Sequence, residues 1–286
     1  MKILVLGVSG MAGHTIALYF QERGHDVIGF STTPFNYCKN ILGNVFDFDP
    51  LKKHLLLEDY DAVINCIGIL NESAEDNRSN AVYLNSYLPH LIVDAIKNTP
   101  TRLIHMSTDC VFAGNTGPYF EDSFCDGKSF YDRTKALGEI NDNKNLTFRN
   151  SIIGPDMNFN GIGLFNWFMK QKGAVNGYTG AIWTGVTTLT LAKAMEKAIE
   201  QNLCGLYNLV NNKSISKYDL LNLFNREFKE GEIVIKEEGN FKLDKTLHNT
   251  RKDFYFEVPS YEQMVIEMKE WVDAHPAYYT HYKSNK

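Results

Sequence analysis

"KILVLGVSGMAGH", residues 2–14, carries the reading on which the fold turns. Its first half is a short apolar, β-branched run of the kind that forms a strand buried on both faces. The run stops at Gly7, and glycines recur at 10 and 13 where a helical pattern opens over 11–23. A strand that turns through glycine straight into a helix begins a βαβ unit. Gly7 permits the tight turn, Gly10 lets the backbone approach a pyrophosphate, and Gly13 lets helix and strand pack closely. The phosphates would then rest on the free N–H groups at the positive end of the helix. "GYTG" (177–180) has similar spacing but follows no comparable strand, so context carries the inference.

Working outward, the first 150 residues alternate. "DVIGF" (26–30), "DAVINCIG" (61–68), "RLIHMS" (102–107) and "LTFRNS" (146–151) read as buried strands. Helical stretches fall at 11–23, about 50–57, 80–97 and 130–142, and "DFDP" (47–50) closes a short strand and starts a helix. Strands separated by helices define a doubly wound α/β fold around a parallel sheet. After residue 151 the alternation breaks. Helices are expected near 164–172, 188–201, 216–229 and 260–274, with strands at "LYNLV" (206–210) and "EIVIK" (232–236). The expected division is a dinucleotide-binding domain at 1–151 that carries the catalytic residues, and a smaller α+β substrate-binding part at 152–286, interleaved with it in space. The tail "YYTHYKSNK" has no readable period.

The 286-residue chain is 44% hydrophobic and 22% charged, with a formal net charge of −5. No basic surplus exists to neutralise phosphates, which argues against nucleic-acid or acidic-membrane binding. No apolar run approaches the roughly 18 residues of a membrane span, and the first run meets glycine too early for a signal peptide. Cysteines 38, 66, 110, 125 and 204 contain no CxxC pair, and the eight histidines show no metal-ligand spacing. The expectation is a cytoplasmic chain with no metal site and no disulfide framework.

Three stretches carry chemistry. The second strand ends "GFSTT" (29–33), without the acid that holds the ribose 2′-OH of NAD. Ser31 and Thr32 suit a 2′-phosphate better, which favours NADPH, with NADH as the alternative; Lys39 is a nearby cation. "FYDRTKALGEI" (130–140) places Tyr131 and Lys135 at i and i+4 on one helix face. A neighbouring ammonium, with the positive charge of an oxidised nicotinamide, favours the phenolate and draws the phenol toward the working range. "YTHYK" (279–283) repeats the spacing, so Tyr131 is distinguished by its place after the fifth strand. Finally, "HMSTDCVFAG" (105–114) sets two hydroxyls, a carboxylate and a thiol at the mouth of a buried strand. A plain turn with local side-chain bonds is the bland explanation.

Together these stretches resemble the extended short-chain dehydrogenase/reductases, and within them the family of dTDP-4-dehydrorhamnose reductase and its relatives. The likeness rests on "GVSGMAG", "NCIG" (65–68), "YLNSYLPHLI" (83–92), "STDCVFAG" (107–114), "YFED" (119–122), "YDRTKALGE", "RNSIIGP" (149–155), "GVTTLTLAKAM" (185–195) and "LDKTL" (243–247). It covers nearly the whole chain. It implies a Rossmann-like fold and reduction of the C4 ketone of a nucleotide-linked sugar, for surface polysaccharide synthesis. In that scheme Thr108 bonds the C4 oxygen, Tyr131 is the general acid and Lys135 its electrostatic partner.

The cofactor-facing positions implied are Gly7, Ser9, Gly10, Met11, Ala12, Gly13, Ser31, Thr32, Asp47, Asn65, Cys66, Ile67, Gly68, Asn85, Ser107 and Ile152, besides Tyr131 and Lys135. Spacing alone leaves the roles of Ser107 and Thr108 interchangeable, and Asn85 is a brace, a water relay or a helix-surface amide. The resemblance further implies that Thr108, Asp109 and Cys110 face the substrate. Related 4,6-dehydratases carry Thr-Asp-Glu where this chain has Thr108-Asp109-Cys110, and a thiol does not replace that base. Trp183 in "GAIWTG" and Arg251 in "HNTRKDF" are expected to stack the nucleotide base and pair its diphosphate, against the alternatives of a core tryptophan and a solvated arginine. The sugar is a dTDP-linked 6-deoxyhexos-4-ulose or a UDP-linked 2-acetamido-2,6-dideoxy-hexos-4-ulose. "CIGILNESAEDNRSN" (66–80) has no counterpart placeable residue by residue. If the 69–80 loop blocks the pocket, a non-catalytic, dinucleotide-binding regulatory subunit becomes the second reading. A homodimer is compatible with either.

Overall fold

The computed structural model describes residues 1–282. The first half runs β1 (Lys2–Leu6), α1 (Met11–Glu22), β2 (Asp26–Ser31), β3 (Lys39–Leu42), α2 (Phe48–Leu57) and β4 (Ala62–Asn65). It continues through α3 (Asn71–Asp76), α4 (Arg78–Ala81), a π-helical turn (Val82–Tyr87), α5 (Leu88–Ile96), β5 (Arg102–Ser107), a 3-10 turn (Asp109–Val111), α6 (Phe130–Leu137) and β6 (Leu146–Arg149). The second half adds β7 (Ile152–Ile153), α7 (Leu164–Met169), β8 (Ala174–Tyr178), β9 (Ala181–Trp183), β10 (Val186–Thr187), α8 (Thr188–Glu200) and β11 (Gly205–Asn208). Last come β12 (Ile215–Ser216), α9 (Lys217–Phe228), β13 (Val234–Glu238), β14 (Leu243–Asp244) and α10 (Tyr261–Ala274).

Seven strands form one sheet in the order β11-β6-β5-β4-β1-β2-β3, with every neighbouring pair parallel. Alternation along β1 explains its two layers. Ile3 and Val5 enter one core with Ala12, Ile16 and Phe20 of α1, while Leu4 and Leu6 enter the other with Leu51, Leu55, Leu88 and Ile92. Winding reverses between β1 and β4, so a crevice opens at their carboxyl ends, where doubly wound sheets bind ligands. The seventh strand, β11, comes from the second half of the chain and completes the sheet beside β6. The two halves therefore share one sheet.

Three differences from the sequence reading have local causes. The fourth strand ends at Asn65 rather than residue 68. The short strand placed just before 47 lies at 39–42 instead, half-exposed on the sheet edge, where no apolar run marks it. Residues 71–81 are helical ahead of the expected start at 80, with a break at Asn77. "NESAED" buries only Ala74, so it shows no helical period.

The aromatic tail docks. Tyr279 is 1% exposed, and its hydroxyl lies 2.9 Å from His14 Nε2 and 3.0 Å from Trp271 Nε1. Lys283, the lysine of the second YxxxK, lies outside the described residues. All five cysteines are free. No helix among the described residues is long and apolar enough to cross a membrane.

Candidate active site

The glycine cradle forms as its spacing demands. Gly7 adopts φ +77°, in the region glycine tolerates, and its N–H donates to Phe30 O at 2.8 Å. A Cβ on Gly13 would lie 2.2 Å from Gly7 O, so that glycine sets the helix against the strand. Gly10 is different. A Cβ there would meet Gly7 O at an ordinary 3.4 Å, so the protein's own packing does not require a glycine. Gly10 caps α1 without a side-chain bond, and no acid occupies the first turn. A helix amino end left open in this way fits a phosphate. Gly10→Ala is therefore expected to fold normally and weaken dinucleotide binding on the order of tenfold or more. Gly13→Ala is expected to destabilise the fold itself by about 1–3 kcal/mol. Cofactor titration and chemical denaturation separate the two; equal loss of stability in both variants would contradict the assignment.

At the end of β5, two adjacent hydroxyls divide their work. Ser107 is buried and donates to Glu139 Oε1 at 2.6 Å. Thr108 accepts from the Cys110 N–H at 3.1 Å and donates to Asp109 Oδ1 at 3.1 Å. Its side chain also faces the Tyr131 phenol, which it stabilises in the charged form. Thr108, not Ser107, is thus the hydroxyl beside the tyrosine.

Tyr131 stands in the first turn of α6, which Ser129 and Asp132 close with a reciprocal capping box at 3.0 and 3.2 Å. Glu75 of α3 accepts the Phe130 N–H at 2.6 Å and adds a second clamp. The ring is 6% exposed and packs against Ala74 and Ala81. Burial pushes its pKa above the ordinary phenol value, Cys110 adds to this, and Thr108 opposes it. The sequence reading expects Lys135 and an oxidised nicotinamide together to draw the phenol down; in the chain by itself burial outweighs Thr108 and the shift is upward.

Lys135, one turn on, is buried and donates to Met106 O at 2.7 Å. Burial pulls it down to about 8, while Glu139 and Cys66 hold it up. Cys110 is pushed up to about 12, chiefly by burial and then by Asp109, so its thiol is no base at neutral pH. That agrees with the absence of a dehydratase acid–base pair.

Two of the expected cofactor positions, Asn85 and Ser31, spend their side chains on the protein itself. Asn85, proposed near the cofactor, spends its amide on the chain itself: Oδ1 accepts from Ile69 N at 2.9 Å, and Nδ2 donates to Ile69 O and Thr134 Oγ1. It is a brace between the segment after β4 and α6. Ser31 likewise donates to Thr33 O at 2.6 Å, whereas Thr32 is exposed. Asp47 is exposed at the start of α2, and Ile152 is half-buried in β7. Asn65 bonds the Ile67 N–H and His105, which shapes the Cys66–Gly68 turn beside Gly7.

Two substrate assignments need correction. Trp183 is 3% exposed within the main core, with Tyr261 at 5.6 Å, so its ring presents no open face to a nucleotide base. Arg251 is committed to Asp253 and to the carbonyls of Cys204 and Leu206. Those carbonyls lie at the amino end of β11, across the sheet from the crevice, so Arg251 does not pair a diphosphate there. Lys39 pairs with Asp26 at 3.4 Å, near the start of β2, and is equally remote from the strand's mouth.

Sequence reasoning missed the charge pair behind the site. Arg149, 2% exposed, binds Glu139 through Nε at 2.9 Å and an Nη at 2.7 Å, and reaches Asn208 of β11. The same carboxylate holds Ser107. One buried ion pair therefore ties together the carboxyl ends of β5, β6 and β11 and the end of α6. "YDRTKALGE" and "RNSIIGP" contain both residues, but a spacing of ten carries no signal of a contact.

Comparison with known proteins gives the class. Seven parallel strands with a glycine turn between the first strand and its helix define a doubly wound, Rossmann-like fold. The family model described as the RmlD substrate binding domain matches residues 1–238, and the chain belongs to that family. A dTDP-4-dehydrorhamnose reductase of Mycolicibacterium smegmatis is 29% identical over 141 residues, 48% of this chain and 40% of that protein. Methionine adenosyltransferase 2 subunit beta of Xenopus laevis is 26% identical over 144 residues, 48% of this chain and 41% of that protein. The matched region thus spans less than half the length of these curated relatives. In three dimensions, a Bacillus anthracis dTDP-4-dehydrorhamnose reductase solved in complex with NADP superposes with a TM-score of 0.78 at 17% identity, covering 93% of this chain and 98% of that one. That likeness shows the shared fold.

Proposed function

We propose that the chain is an NAD(P)H-dependent reductase acting on the C4 ketone of a nucleotide-linked 6-deoxy-4-ketosugar. The single observation that carries this reading is the meeting of the Thr108 hydroxyl and the Tyr131 phenol at the mouth of β5, in a sheet whose first turn leaves a helix amino end free. The residues fit a dinucleotide, because Gly10 leaves room that a Cβ would fill. Gly7 to Gly13 would hold its pyrophosphate, Asn65 to Gly68 would line it, and Lys135 would bind its ribose hydroxyls. When bound, the nicotinamide supplies the hydride.

The protein's own part is positional and electrostatic. Thr108 would turn its one hydroxyl proton from Asp109 Oδ1 to the ketone oxygen and stabilise the charge that develops there. Tyr131 gives its proton to that oxygen, which leaves an alcohol at C4. Lys135, one turn on along α6, would supply the positive charge that assists the phenol, and Glu139 helps keep that lysine protonated. The mouth of β2 lacks a carboxylate, which supports NADPH over NADH.

A second reading has two observations behind it. Ala74 and Ala81 press on Tyr131, and the frog relative is named as a subunit. The chain would then bind a dinucleotide without turnover. NADPH oxidation in the presence of a 4-ketosugar nucleotide decides: ketone-dependent oxidation supports the reductase, and binding without oxidation supports the subunit.

A further inference from the structure

Two lysines beside the site have no role in the chemistry above. Lys217 opens α9 directly after its Ser216 cap, and its ammonium lies 4.9 Å from the centroid of the Trp183 ring. Lys245 follows β14, with its aliphatic stem laid across Gly114. Both lie within electrostatic reach of Asp109 and Cys110, the residues that follow Thr108. Neither ammonium has a hydrogen-bond acceptor or ion-pair partner among the described residues, although both side chains are half-buried.

Lys217 stands where a structural lysine is disfavoured. The first position of a helix carries the positive end of its dipole. Partial burial strips water from the ammonium, and no acceptor replaces it. The Trp183 face recovers part of that cost and fixes where the charge points. Burial drags Lys217 down to about 8 even with Asp109 opposite. Asp109 itself is pushed up by burial, so it is a weak counter-ion for two lysines. The pair is set up for an anion that arrives from outside the chain.

Under the reading proposed above, on which this inference rests, the ketone sits at Thr108 and the sugar is joined through C1 to a nucleoside diphosphate. We infer that Lys217 and Lys245 hold that diphosphate, with Trp183 as the platform that aims Lys217. Trp183 thereby serves the substrate from within the core, and the two lysines take the part first expected of Arg251. The cofactor's own pyrophosphate is accounted for at α1, so the two anion sites use different residues.

Calorimetric titration of the NADPH-bound full chain with dTDP and with UDP tests this without any turnover. The wild-type chain is expected to bind at least one of them. Lys217→Met and Lys245→Met are each expected to weaken that binding about 10- to 100-fold, the loss of one charge-assisted contact. Lys217→Arg should retain most of it, and NADPH affinity should be the same in all variants. The inference is overturned if the Met variants bind both diphosphates like wild type, if the wild type binds neither, or if NADPH affinity falls in parallel. Ketone-dependent NADPH oxidation by the wild-type chain is measured separately, so failure of the reductase reading is distinguishable from failure of the lysine site.

Discussion

Tyr131→Phe is expected to lower turnover with a 4-ketosugar substrate by roughly 10²–10⁴-fold, the range for a positioned general acid. The substitution removes one oxygen and keeps the ring. Ala74 and Ala81 still pack on it, and the capping box at Ser129 and Asp132 still sets the first turn of α6. The structural cost is close to that of one hydrogen bond, about 1 kcal/mol. NADPH binding, which depends on the cradle after β1, should hardly change. Thr108 would remain to hold the ketone oxygen, so residual activity from orientation is expected. Steady-state kinetics beside a cofactor titration measures both quantities. Near-native turnover would remove Tyr131 from the mechanism; a parallel loss of NADPH affinity would make it a binding residue.

The second large effect is on stability. Arg149→Met is expected to cost about 3–5 kcal/mol, because it strands the Glu139 carboxylate in a buried site. Glu139 has 8% side-chain exposure, so water cannot replace the guanidinium without opening the strand ends. The double variant Glu139→Gln with Arg149→Met removes both charges and should recover a large share of that loss. Chemical denaturation of the three variants gives the cycle. A single variant within about 1 kcal/mol of wild type would mean the pair is not structural. Because Ser107 shares the carboxylate, the single variant should also loosen the mouth of β5 and depress turnover beyond its effect on folded population.

What the chain revealed in advance follows from how local each signal is. Alternation along β1, the glycine at each point where backbones approach, and the one-turn offset of Tyr131 and Lys135 are local patterns, and local geometry reads them out. Residues 71–81 escaped because a six-residue helix with one buried side chain has no period to detect. The Glu139–Arg149 pair escaped because its partners sit on a helix end and a neighbouring strand, where register decides the contact. Trp183 and Arg251 were assigned by side-chain type alone. Type does not say where a residue points: the tryptophan went into the core, and the arginine to the far end of β11. Ser107 and Thr108, adjacent and chemically alike, were separable only once Glu139 was seen to take the first.

The central claim is that Thr108, Tyr131 and Lys135 reduce a sugar ketone with hydride from a bound nicotinamide. Its most direct test is single-turnover oxidation of NADPH, followed by absorbance, when the NADPH-loaded chain is mixed with a panel of dTDP- and UDP-linked 4-ketosugars. The account predicts that at least one of these consumes the cofactor and yields a C4 alcohol, and that Tyr131→Phe slows that consumption. Bound NADPH that persists unchanged against every sugar in the panel would contradict it.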